Sequence, residues 1–160
     1  MHEPFLRNAT AQDADFIYAV YDTTARHLVE GLGLRWAERL MREKSNAEAV
    51  DGLTKIVMLG EQVIGFYSAE LRSNELWLES LFLLPEYHGR GLGKCLLAQA
   101  LAQARAAARP LRCQVMSYNP AIAFYLSQGL VSVREEGNSI FMEGGQRKPP
   151  RRQSASWKLC

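Results

Sequence analysis

Pro85-Glu86-Tyr87-His88-Gly89-Arg90-Gly91-Leu92-Gly93-Lys94 is the stretch from which the rest of the chain can be read. Before it runs Leu81-Phe82-Leu83-Leu84, apolar on both faces as a strand in the middle of a covered sheet would be, and Pro85 stops it. From Gly91 onward an Ala-rich run carries Leu97, Leu101, Ala104 and Ala108 in one stripe, the mark of a long helix that Pro110 ends. The loop therefore joins a strand to a helix start. Glycines at alternate positions let the backbone turn tightly and point successive N–H groups outward. At a helix N-terminus such donors, with the macrodipole behind them, favour an anion. The expected ligand is a diphosphate held by main-chain amides, with Arg90 or Lys94 adding charge.

Two common phosphate loops do not fit. A P-loop needs GxxxxGK[ST], but His88 stands five before Gly93, and Cys95 replaces the Ser or Thr that holds magnesium. The dinucleotide fingerprint GxGxxG also fails, because Gly91-Leu92-Gly93 is followed by Lys94-Cys95-Leu96 and no acid lies about twenty residues on. A glycine-rich turn without a ligand is the plain structural alternative.

Upstream, Phe5-Leu6-Arg7 forms a short strand, and Thr10 with Asp13 resembles a capping box that starts a helix. Ile17, Val20, Tyr21, Thr24 and Leu28 give that helix one apolar face, until Gly31 and Gly33 break it. A second helix is expected over 34–44 with Trp36, Leu40 and Met41 inward, then loop from Asn46 to Leu53. Lys55 to Leu59, Val63 to Leu71 and Glu75 to Leu84 follow as a strand meander. Beyond the long helix come a strand at Leu111 to Met116 and a short helix opened by Asn119-Pro120 and closed at Gln128-Gly129. A hairpin around Gly137-Asn138 ends the series. The order β-α-α-β-β-β-α-β-α-β-β implies an α/β fold of the α+β mixed kind, with a central mixed sheet and helices on both faces.

Bulk properties narrow the function. A hydrophobic share of 48% in 160 residues supports one domain with its own core, expected over 1–145. No apolar run is long enough to cross a membrane, and Met1-His2-Glu3-Pro4 lacks the basic and apolar stretch of a secretory signal, so a cytoplasmic location is expected. Five cations but no acid follow Glu143, so 146–160 reads as a flexible basic tail and the remainder is mildly acidic. Nothing in the acidic part announces a nucleic-acid surface. The three cysteines share no CxxC spacing and the three histidines no ligand spacing, so no metal is expected. Cys95 and Cys113 fall in apolar runs and read as small core residues.

His88-Gly89-Arg90-Gly91-Leu92-Gly93, within Glu79 to Ala104, resembles the acetyl-CoA-binding motif [Q/R]xxGx[G/A] of the GCN5-related N-acetyltransferase superfamily, with His88 in place of Gln or Arg. Asn119-Pro120-Ala121-Ile122-Ala123-Phe124-Tyr125, continuing to Gly129-Leu130, is similar to the family's second signature, with Leu130 for Phe. The resemblance covers about residues 4–143. It implies an N-acetyltransferase that uses acetyl-CoA as cosubstrate. Leu81, Phe82 and Leu83 would offer backbone groups to the pantetheine arm and acetyl carbonyl, and amides of His88, Gly89, Arg90, Gly91, Leu92, Gly93 and Lys94 would hold the pyrophosphate. Because those contacts are main-chain, His88 would be tolerated. Asn119 would contact the pantetheine region, and Tyr125 would protonate the departing thiolate.

Chemistry agrees with the last role, since a phenol of pKa about 10 is neutral at pH 7 and can donate to a thiolate of pKa about 8.5. Tyr125 otherwise reads as a core aromatic. Glu79 shares a strand face with Leu81 and Leu83, and is either a base acting through water or a structural hydrogen-bond acceptor. The family's acceptor groove would here draw on Tyr18, Tyr21, Asp22, Arg26, His27, Glu30, Arg35, Trp36 and the Gly137-Asn138 turn. Those residues suit a small amine or a carboxylate-bearing acceptor equally. A non-catalytic acyl-CoA sensor of the same fold is the alternative, and a homodimer is compatible with either.

Overall fold

Arg7 grips the carboxylate of Asp13 through two hydrogen bonds of 2.8 and 2.9 Å in the computed structural model of the chain, which describes residues 2–145. The expected basic tail lies outside those residues. Asp13 also accepts from the main-chain N–H of Thr10 at 2.8 Å, which is the reciprocal half of the capping box. Strand β1 (Phe5–Asn8) is thereby fixed to the one-turn 3-10 helix Ala11–Asp13 that opens α1 (Ala14–Thr24).

The described residues divide into two compact units, one within Met1–Ala69 and Glu79–Gly93, the other within Glu70–Leu78 and Lys94–Cys160. Seven strands form a mixed sheet in the order β1-β2-β3-β4-β5-β7-β6. Its members are β2 (Thr54–Leu59), β3 (Gln62–Leu71), β4 (Leu76–Leu83), β5 (Leu111–Met116), β6 (Val131–Glu136) and β7 (Ser139–Gly144). β4 and β5 run parallel, while β1–β2, β2–β3, β5–β7 and β6–β7 are antiparallel.

In the first unit, Ile17, Val20 and Tyr21 of α1 and Ala49 of α3 (Glu38–Ala49) pack on Ile56 and Met58 of β2 and Phe66 of β3. Three rings form its centre: Tyr21 meets Phe66 and Phe82 edge-on at 5.1 and 5.2 Å, and Phe66 stacks on Phe82 at 5.1 Å. In the second, α4 (Leu92–Ala106) buries Leu96, Leu97, Ala100 and Ala104, and β5 buries Leu111, Cys113 and Val115 in strict alternation.

Three elements differ from the sequence reading. The first helix breaks at Ala25 into α1 and α2 (Arg26–Gly31). Thr23 and Thr24 donate back to the carbonyls of Ala19 and Val20 at 2.7 Å, a competition that bends a helix at its end. The second helix begins four residues late and runs on to Ala49, through the expected loop, and Leu40 is 63% exposed rather than inward. Its buried face is Met41, Ser45 and Ala49 at i, i+4 and i+8, with the Ser45 hydroxyl satisfied by the Met41 carbonyl at 2.8 Å. A small polar residue in that stripe disguises it. Finally, Ala108 is not in the α4 stripe but in the left-handed region at φ 55°, closing the helix through Arg109 N–H to Ala104 O and Ala108 N–H to Arg105 O.

Candidate functional site

Leu84 N–H donates to Ile64 O at 2.8 Å, and one 3-10 turn, Pro85–Tyr87, then carries the chain off the sheet. Tyr87 N–H closes that turn on Leu84 O at 2.9 Å and its hydroxyl donates to Gln62 Oε1 at 2.6 Å. Gly89 and Gly91 follow at φ +73° and +79°, which a side chain would strain. The N–H groups of Gly89, Arg90 and Gly91 donate to no carbonyl among the described residues. Those of Leu92, Gly93 and Lys94 open α4, where a first turn has no intrahelical acceptor. The result is a run of donors without carbonyl partners at a helix start, the arrangement expected for anion binding. Arg90 lies over the Tyr87 ring at 5.3 Å.

On β4 the site residues divide by role. Phe82 is a core ring, so only its main chain is left for a ligand. Leu81 is half-buried and Leu83 buried. Gly65 on β3 lets the strands approach closely: a Cβ there would run into the Phe82 carbonyl oxygen, and would lie 2.9 Å from the Leu83 side chain. Glu79 is exposed, and its charge acts on Tyr21, whose hydroxyl also interacts with Ser80 and Glu48. Burial, then the Glu48 carboxylate, hold the Tyr21 phenol far above its ordinary range.

In the second unit, α5 (Ala121–Ser127) carries Tyr125, which is only 8% exposed and tilts against Phe124 at 5.4 Å. Its hydroxyl makes no hydrogen bond with another described residue. Burial pushes its pKa up, with Cys113 adding to the effect. Burial also raises the Cys113 thiol to about 12, which makes it inert rather than nucleophilic. Asn119 accepts from Ala121 N–H at 2.9 Å, so its carbonyl caps α5 and only its amide N–H groups are left to point elsewhere.

Of the expected acceptor residues, Arg26, Glu30, Arg35 and Trp36 do line an open hollow of about 600 Å³ in the first unit. Arg26 is already engaged by Asp22 and Glu30 at 3.1 and 2.7 Å. Trp36 donates to the Tyr18 hydroxyl at 3.2 Å, and Tyr21 is a core residue. Glu48 is not singled out by the sequence reading; the Lys44–Glu48 spacing, a 2.8 Å ion pair in the structure, is the signal that could have found it.

Among the described residues no helix is long and apolar enough to cross a membrane. Residues 15–130 match the model of the acetyltransferase (GNAT) family. No curated protein is matched. Among solved structures, the PaiA N-acetyltransferase of Thermoplasma acidophilum, in complex with coenzyme A, is 22% identical at a TM-score of 0.71, covering 88% of this chain and 98% of its own. An acetyltransferase of Thermus thermophilus is 23% identical at a TM-score of 0.63, over 90% of this chain and 99% of that one. An N-acetyltransferase of Staphylococcus aureus is 15% identical at 0.63, over 88% and 100%. These are likenesses of fold.

Proposed function

The chain belongs to the acetyltransferase (GNAT) family, and from that premise we propose that it moves an acetyl group from acetyl-CoA to a primary amine by direct attack in a ternary complex. One observation carries the choice of cosubstrate: the main-chain N–H groups of 89–94, at the start of α4, have the donor pattern a pyrophosphate needs. The coenzyme A held by the Thermoplasma acidophilum neighbour supports the same reading.

In this scheme the main chain of Gly89 to Lys94 binds the pyrophosphate, the His88 N–H being taken by Pro85 O at 3.0 Å, while the main chain of Leu81, Phe82 and Leu83 and the amide of Asn119 hold the pantetheine arm. The amine nitrogen attacks the thioester carbonyl carbon, the C–S bond breaks, and N-acetylamine and free coenzyme A leave. Glu79 takes the amine's proton through water. Tyr125 gives a proton to the thiolate. Its raised pKa keeps that phenol protonated at the alkaline pH where an amine is free to attack.

The test is calorimetric titration with acetyl-CoA, followed by thiol release across a panel of amino acids, peptides, polyamines and aminoglycosides. Acetyl-CoA binding with thiol release for at least one amine is expected. Binding without turnover on any amine would leave an acyl-CoA sensor, and no binding would end both readings.

A further inference from the structure

The one departure from the motif, His88, makes a contact that a purely main-chain cradle does not require. Its Nε2 lies 2.7 Å from the carbonyl oxygen of Leu83, the last residue of β4. A carbonyl only accepts, so Nε2 carries the hydrogen and donates it. The ring thus bridges the first residue of the cradle to the end of the strand that leads into it.

On the strand side the loop is secured by the 3-10 turn and by Tyr87 on Gln62. From Gly89 to Gly91 no main-chain N–H finds a carbonyl among the described residues, and the Arg90 guanidinium sits over the Tyr87 ring: two glycines hold positive φ, and a Cβ built on either would meet no atom within 4 Å. A segment so free costs conformational entropy when it is ordered around a ligand. A tether at the residue just before it, His88, lowers that cost before the ligand arrives.

We propose that His88 is a positioning residue, a clasp that pre-orders the anion-binding loop by holding the Leu83 carbonyl. The inference rests on the coenzyme A reading of the loop and deepens it. It also narrows the role of Leu83, one lone pair of whose carbonyl is engaged by His88. Gln at position 88 has a similar reach and a terminal N–H to donate, so it can replace the ring.

The experiment is calorimetric titration of the full chain with coenzyme A for wild type, His88→Ala and His88→Gln. Nitrogen-detected NMR of the His88 ring is recorded with and without coenzyme A. Loss of one partly exposed hydrogen bond corresponds to about three- to tenfold weaker binding for His88→Ala. Its unliganded melting temperature should fall by no more than a few degrees, and His88→Gln should recover most of the affinity. The Nε2–H tautomer should persist when coenzyme A binds. Equal affinity of wild type and His88→Ala overturns the clasp while leaving the coenzyme A reading intact. So does an NMR signature showing the ring displaced on binding, or a folded His88→Gln that recovers nothing. Wild type that binds no coenzyme A removes the clasp and the reading together.

Discussion

Tyr21 and Glu48, 27 residues apart in the chain, are joined by a phenol that donates to the carboxylate at 2.8 Å to one oxygen and 3.0 Å to the other. The bond links α1 to α3 beside the Phe66–Phe82 stack, and Lys44 balances the carboxylate at 2.8 Å. A Tyr21→Phe variant keeps the ring contacts but leaves Glu48, 13% exposed, with Lys44 alone. The expected loss is about 1–2 kcal/mol of stability, since a hydrogen bond to a charged partner is being removed. Urea unfolding of the two proteins measures it; a difference below ~0.5 kcal/mol would mean that the pair is replaceable by water.

Gly65 is required by packing. A Gly65→Ala methyl would meet the Phe82 carbonyl, which the surrounding ladder cannot move aside. The variant should lose about 2–3 kcal/mol. It should also weaken acetyl-CoA binding, because β4 is displaced at Phe82 and Leu83. Thermal melts with and without acetyl-CoA report both effects.

Alkaline pH should destabilise the fold through four buried acids, Cys113 and the phenols of Tyr21, Tyr67 and Tyr125, all raised by burial. Burial raises the Cys113 thiol from 9.0 to about 12 and the Tyr67 phenol from 10.0 to about 12. Between the unfolded and folded values the unfolded chain has released protons that the folded chain retains, so stability falls as pH rises. The fall should begin near pH 9 with Cys113 and steepen above pH 10 with Tyr67, Tyr21 and Tyr125. A Cys113→Ala variant should show a flatter urea midpoint between about pH 9 and 10, whatever its stability at neutral pH.

Tyr125→Phe should lower kcat for thiol release about 100-fold, within the usual range for a lost acid catalyst. KM for acetyl-CoA should stay within about threefold. An undiminished kcat from neutral to mildly alkaline pH would return Tyr125 to the core aromatic it otherwise resembles.

Local chemistry is enough to place most elements. The Thr10/Asp13 box, the strands of the meander, Asn119-Pro120 and the Gly137-Asn138 turn all act within a few residues, and each stands where the sequence puts it. The errors come where a partner distant in sequence decides. Met41, Ser45 and Ala49 make a buried stripe only because α1 and the sheet lie against them, and Ser45 looks like a loop residue until its hydroxyl is seen on the Met41 carbonyl. The split at Ala25 and the left-handed Ala108 are further choices that periodicity does not encode.

The sequence alone determined the order of the strands, the place of the long helix and the glycine loop before it, because strand periodicity, backbone freedom and helix-end donors are properties of adjacent residues. Only the tertiary structure decided which side chains are free for chemistry. It committed Tyr21 to Glu48, Trp36 to the Tyr18 hydroxyl and Tyr87 to Gln62. A polar group's partner is set by distance in space, and for Tyr21 that distance is spanned by two helices and a loop.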